Sequence, residues 1–161
     1  LGDIQKLTTY QMLNCIYESD KFSNYKHNIL FKPHPGNVLD TSQYTRKGLK
    51  ITNELIDDLL SISDIIITSV FTSAALDVFL AQKKVIIFLS PEQLNYSILK
   101  KYKSVDFISS SDTLYESISN YLFDSNKEKL NPNDFFWLNS DLSGWKELFK
   151  AYNNKNVFYE E

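Results

Sequence analysis

Apolar residues recur along this chain in two rhythms, and the switching between them predicts its architecture. Ile4, Leu7, Tyr10, Leu13 and Ile16 or Tyr17 repeat at helical spacing, which predicts an amphipathic helix over residues 4–19. Asn28 to Lys32 is instead a short apolar run, the mark of a buried strand, ended by Pro33 and Pro35. Residues 36–48 are polar and contain Gly36, Asn37, Asp40 and Gly48, which predicts a loop. Leu49 to Thr52 reads as a short strand. Leu55, Ile56, Leu59, Leu60 and Ile62 then mark one helical face, with Asp57 and Asp58 on the other. Asp64 to Thr68 is a strand, after which Thr72 or Ser73 caps a helix reaching Gln82. Lys84 to Leu89 is a strand stopped by Ser90-Pro91, and Glu92 to Tyr102 reads as a short helix. Ser104 to Ile108 is the last strand. Ser110, Ser111 and Asp112 start a helix carrying Leu114, Ile118, Tyr121 and Leu122. Asn131 to Ser140 reads as a loop. Asp141 opens a final helix with Leu142, Trp145, Leu148, Phe149 and Tyr152 on one face.

Strands that are apolar along their length and alternate with helices imply a parallel sheet covered on both sides. The expected fold is α/β: a Rossmann-like parallel sheet of about five strands with helices on both faces. The first strand is not followed by Gly-x-Gly-x-x-Gly, so the usual dinucleotide fingerprint is missing. At 161 residues and 43% hydrophobic content the chain can build one substantial core, and residues 1–161 are expected to form a single domain. A net charge of -3 without a basic block gives nucleic-acid binding no electrostatic support. The single cysteine, Cys15, cannot form an internal disulfide and reads as a small buried side chain, which suits a cytoplasmic setting. No apolar run approaches the roughly 20 residues that span a bilayer, and no signal peptide is evident. The chain opens on Leu1 and its one methionine is Met12, so it is expected to be a piece of a longer protein. Any membrane association would come through that parent.

Two segments carry chemistry. Lys32-Pro33-His34-Pro35-Gly36 follows the first strand run, and Thr68-Ser69-Val70-Phe71-Thr72-Ser73-Ala74-Ala75-Leu76-Asp77 follows the run Asp64-Ile65-Ile66-Ile67. Both lie where a parallel sheet presents its strand C-termini, the edge at which such sheets bind ligands. Lys32 and His34 each precede a proline, which holds the backbone extended and stiff. Alternation sets the two side chains on one side, where a cation and an imidazole suit a phosphate or diphosphate. Thr72 and Ser73 add hydroxyls at a helix start, where free backbone N–H groups attract anions. Ser69 offers a further hydroxyl. Asp77 can orient the helix start or hold a sugar hydroxyl. Glu54, after the second strand, can accept from a ribose diol, although a first-turn glutamate also favours a helix without any ligand. His27 reads as a surface residue. No Cys/His metal spacing, Gly-x-Ser-x-Gly elbow or Walker loop occurs, so no metal and no cofactor is expected. Asp57-Asp58 reads as a solvated helix face. Phe135, Phe136, Trp137 and Trp145 read as packing for the last helix.

Taken together, Lys-Pro-His-Pro, then Ile67-Thr68…Thr72-Ser73-Ala74-Ala75-Leu76-Asp77 and Lys84-Val85-Ile86-Ile87-Phe88, resemble the C-terminal half of GT-B glycosyltransferases. By pattern the nearest groups are bacterial sialyltransferases, capsule polysaccharide enzymes and CDP-glycerol glycerophosphotransferases. Phe135-Phe136-Trp137-Leu138 before the Trp145 helix is similar to the tail of surface-carbohydrate biosynthesis proteins. The similarity covers residues 28–150. In those enzymes a His-Pro motif and a Ser-Ser or Ser-Thr motif grip the donor's phosphate. Thr72-Ser73 stands at the hydroxyl pair, with threonine in place of the commoner serine, and Asp77 matches an acidic residue of the glycerophosphotransferases.

The resemblance implies a donor-nucleotide-binding domain of a glycosyltransferase that builds a surface polysaccharide or glycan. The donor would be CMP- or CDP-linked. His34 would be catalytic, with Lys32, His34, Pro35, Glu54, Ser69, Thr72, Ser73 and Asp77 binding substrate. The glycan acceptor and the carboxylate general base would belong to a missing N-terminal half, so this piece alone would not transfer sugar. Two other readings fit the same pattern: an enzyme like the nucleotide-sugar 2-epimerases, and a non-catalytic flavodoxin-like binding module.

Overall fold

The computed structural model describes residues 2–25, 28–36, 38–123, 141 and 143–156. In chain order, α1 spans Gly2–Tyr17, β1 Leu30–Phe31, α2 Ser42–Thr45, β2 Lys50–Ile51, α3 Ile56–Ile62, β3 Ile65–Ser69 and α4 Ala74–Leu80. Then come β4 at Lys84–Phe88, β5 at Asp106–Ile108, α5 at Ser111–Phe123 and α6 at Ser143–Asn156. Short 3-10 turns at Asp20–Phe22 and Ile98–Lys101 precede β1 and β5. The chain divides into two compact units, Leu1–Glu128 and Lys129–Glu161.

The expected class, α/β with parallel strands, is present, but the strands form two sheets. β1 pairs with β2 in parallel, setting Leu30 beside Lys50 and Phe31 beside Ile51. β3, β4 and β5 form a second parallel sheet in that order, with Ile67 beside Ile86 and Phe88 beside Ile108. The continuous sheet of about five strands expected from the pattern is therefore corrected to sheets of two and three strands. β1 is cut short because Pro33 and Pro35 have no N–H with which to extend a ladder.

Packing follows from alternation. Ile65, Ile67, Ile86, Phe88 and Ile108 share a core with Leu13, Ile16 and Tyr17 of α1 and with Leu114 and Ile118 of α5. Val85 and Ile87 face the other way and are just as deeply buried, so β4 is covered on both sides. α4 packs on β3 and β4 and buries Ala75, Val78 and Phe79. At the opposite end of the strands, Lys84 Nζ pairs with Asp106 at 2.8 Å, and the buried Ser117 hydroxyl donates to the same carboxylate.

Polar side chains of α1 brace the first unit. Gln93 Nε2 donates to the fully buried Thr8 hydroxyl at 2.7 Å. The Asp40 amide donates to the Tyr10 hydroxyl at 2.9 Å, and the Tyr44 hydroxyl donates to Asn14 Oδ1 at 2.6 Å. α1 thus ties the segment between β1 and β2 to the loop after β4.

Three local expectations change. Residues 36–48 hold a helical turn, α2, because Asp40 Oδ1 takes the Ser42 amide and Tyr44 is drawn into the core, its ring 5.7 Å from that of Tyr17. The apolar face of α3 is buried only in part: Ile56, Leu59 and Leu60 are half-buried, whereas Leu55 is 70% and Ile62 65% exposed. Glu92 to Tyr102 is irregular up to Ser97, then a 3-10 turn. Asn95 Oδ1 takes the Ser97 amide and Ser97 Oγ takes the Leu99 amide, local bonds that compete with a regular helix. His27, the expected loop at 131–140 and its Phe135-Phe136-Trp137 lie outside the described residues. In the second unit Asp141 Oδ1 caps α6 by accepting from the Ser143 amide at 3.0 Å. The rings of Trp145 and Phe149 lie 6.2 Å apart along that helix.

Two stability predictions follow from this packing. Phe88→Ala should cost about 3–5 kcal/mol in urea unfolding, whereas Ile62→Ala should stay within about 0.5 kcal/mol. Burial pushes the Tyr17 phenol from its ordinary 10 up to about 12. The unfolded chain releases that proton near pH 10 and the folded chain retains it, so this stabilisation is complete below pH 10 and is lost as pH rises through about 12. Tyr17→Phe should flatten the loss of stability in that window, read by unfolding at stepped pH.

Candidate functional site

Parallel pairing places the segments after β1 and after β3 at strand C-termini. Lys32 leaves β1 half-buried and turns onto its neighbour, donating from Nζ to the Glu54 carbonyl at 2.5 Å. This bond ties the exit of β1 to the segment after β2. Glu54 meets Lys32 through its backbone, and its own amide donates to Thr52 Oγ1 at 3.2 Å. The Glu54 side chain is exposed. His34 is exposed as well, and its Nδ1 accepts from the Gly36 amide at 3.1 Å. Pro35, between them, is exposed.

At the exit of β3, the Ser69 carbonyl accepts from the Thr72 amide at 3.4 Å. Thr72 Oγ1 accepts from the Ala74 amide at 3.2 Å, which makes Thr72 the side chain that caps α4. Ser73 has helical backbone angles, is exposed and makes no cap hydrogen bond. Asp77 is exposed in the first turn of α4.

The expected residues therefore fall into two groups: Lys32, His34, Pro35 and Glu54 after the first sheet, and Ser69, the last residue of β3, with Thr72, Ser73 and Asp77 beyond it. Among the described residues no hydrogen bond or ion pair joins one group to the other. Each group still has unused donors. Lys32 has two further N–H bonds, and the Thr72 oxygen that accepts from Ala74 keeps its own proton to donate.

Thr68 opens the second segment, but the pattern assigns it no role of its own. Thr68 is 7% exposed, and its hydroxyl has no partner among the described residues. The signal for it was a hydroxyl inside the apolar run Ile65-Ile66-Ile67-Thr68, on a strand covered on both faces, one position before Ser69. A buried hydroxyl without a partner is costly in a folded core.

Among the described residues no group of three His, Cys, Asp or Glu side chains could hold a metal ion. Asp57 and Asp58 are exposed on α3. Burial, and secondarily the Glu18 carboxylate, push the Cys15 thiol upward, which keeps it protonated and a poor nucleophile at neutral pH. No helix among the described residues is long and apolar enough to cross a membrane. No protein-family model, curated protein or solved structure was found to match this chain.

The different tasks of the two hydroxyls can be separated. Thr72→Ala removes the cap and should cost about 0.5–2 kcal/mol in thermal or urea unfolding. Ser73→Ala removes no such bond and should leave stability within about 0.5 kcal/mol.

Proposed function

We propose that this chain is the donor-nucleotide-binding part of a glycosyltransferase, and that it grips the phosphate of a CMP- or CDP-linked donor. The observation that carries the reading is that Lys32-Pro33-His34-Pro35 and Ser69 to Ser73 each leave the C-terminal end of a parallel strand. The motif resemblance supplies the reaction class, and the unused donors of Lys32 and Thr72 supply the chemistry.

A finer arrangement accompanies this reading. Phe31 packs against the same core cluster as Ile65 and Ile67. We infer a Rossmann-like strand sequence β2-β1-β3-β4-β5, in which the two sheets lie side by side. The chain order then reverses between β1 and β3, and ligands of open parallel sheets bind at such a reversal. Lys32 and His34 would flank the ligand from one side of it, Thr72 and Ser73 from the other.

In the reaction an acceptor hydroxyl oxygen bonds to the sugar carbon as the bond from that carbon to the nucleotide phosphate oxygen breaks; the hydroxyl proton goes to the general base, and the electron pair leaves with the phosphate oxygen. Donors preorganised around that oxygen lower the barrier without a metal ion. Lys32 Nζ, the His34 imidazole and the Thr72 and Ser73 hydroxyls fill that role. Asp77 and Glu54 are placed to accept from sugar hydroxyls. The acceptor and the general base come from outside these residues.

His34→Ala should weaken nucleotide binding by about 1.5–3 kcal/mol, the range for a hydrogen bond to a charged group. An amide NMR titration with CMP, CDP, UDP and GDP tests the whole reading. Saturable shifts at Lys32, His34, Gly36 and 69–77, tightest for a cytidine nucleotide, are expected. A well-dispersed spectrum that no nucleotide perturbs would overturn it and favour a non-catalytic module.

A further inference from the structure

The imidazole of His34 is oriented by its own chain. Its Nδ1 accepts from the Gly36 amide at 3.1 Å. A backbone amide can only donate, so the nitrogen facing it must present a lone pair. The tautomer with hydrogen on Nδ1 would set two donors face to face. We propose that the Gly36 N–H fixes the neutral His34 ring in its Nε2–H form, which makes His34 a hydrogen-bond donor toward an anionic oxygen and not a base.

Three features of the segment support this assignment. Pro33 and Pro35 hold the backbone on either side of His34 near one φ, so the ring is presented from a stiff support. The contact spans two residues along the chain and needs no distant partner to form. The hydrogen position of Gly36 is close to the ring: a Cβ built there would lie 3.4 Å from both Nδ1 and Cε1. His34 itself is exposed, so the opposite nitrogen is open to a ligand.

The chemical consequence is selective. With Nδ1 engaged by Gly36 and Nε2 carrying hydrogen, the neutral ring has no free lone pair with which to remove a proton from an acceptor hydroxyl. It can only complement an acceptor atom. This deepens the phosphate-site reading and rests on it for the ligand: the group that meets His34 is a phosphoryl oxygen. Gly36 acts through His34 and is a positioning residue.

The test has two arms. The first needs no ligand. Long-range proton–nitrogen NMR of the imidazoles in the 161-residue chain, in alkaline solution, reads which ring nitrogen carries hydrogen. An Nε2–H pattern for His34 is expected, and an Nδ1–H pattern would overturn the proposal. Gly36→Ala keeps the amide and should keep the pattern, whereas Gly36→Pro deletes the donor and should let the tautomers mix. If Gly36→Pro does not fold, the second arm decides. The Gln amide nitrogen reaches the place of Nε2 and the Asn amide nitrogen that of Nδ1. With CMP and CDP as probes, His34→Gln should bind within about 3-fold of the original chain, and His34→Asn should lose roughly 10-fold or more, as for loss of a charge-assisted bond. Equal loss in both variants, or better binding by His34→Asn, would overturn the donor assignment. Binding of neither nucleotide by the original chain would overturn the phosphate-site reading while the first arm still reports the tautomer.

Discussion

Strand β4 has a hydrogen-bonded neighbour on each edge and apolar cover on each face. Val85, Ile86, Ile87 and Phe88 are all at most 1% exposed. A segment so placed must satisfy every backbone donor and acceptor through its ladders, because no water reaches them. That requirement sets the register of β3 and β5. It also calls for helices on either side, which α4 supplies for one face and α1 with α5 for the other. Burial of Phe88 and Ile86 draws in Leu13, Ile16 and Tyr17, and through Tyr17 the ring of Tyr44. Even the ion pair of Lys84 with Asp106 belongs to this scheme. It lets the first residue of β4 carry a charge at the covered face, with the Ser117 hydroxyl on the same carboxylate.

The candidate site uses what that framework leaves over. Parallel strands deliver their C-terminal ends to one edge, and the chain must leave there in loops whose backbone is not held by a ladder. After β1 the two prolines restrict the loop, and Lys32 anchors it to the Glu54 carbonyl. After β3 the loop is short and ends in a Thr72 cap. In both places a side chain that also serves the local structure retains donor capacity. The Lys32 ammonium has three N–H bonds and needs one for Glu54; the Thr72 oxygen accepts from Ala74 and its hydrogen remains free. Structural and ligand-binding roles are thus compatible in the same atoms.

Some of this was legible in the chain and some was not. The long apolar periodicities of α1 and α5 and the unbroken runs of β3 and β4 located those elements closely, because burial on a whole face or on two faces leaves a strong pattern. The α/β class and the parallel pairing came with them. Short elements were less legible. α2 depends on the single Asp40–Ser42 contact and on the attraction of Tyr44 to a core formed by distant residues. The segment from Glu92 was drawn away from a helix by local bonds of Asn95 and Ser97. The apolar face of α3 predicted burial that the fold gives it only in part. At the site, residue types told which side chains could meet an anion. They did not tell that Thr72 rather than Ser73 caps α4, that Glu54 meets Lys32 by its carbonyl, or that Thr68 keeps a buried hydroxyl without a partner among the described residues.

The sequence by itself determined the alternation of helices and parallel strands and the chemical character of the two loops at their C-terminal ends. Those properties depend on local spacing and on residue type, which the chain carries in every conformation. Tertiary structure decided the division into sheets of two and three strands, the bracing of the first unit by α1, and the hydrogen-bond partners of Lys32 and Tyr44. These depend on distances between residues far apart in the chain, and only the packing of one element against another sets such distances.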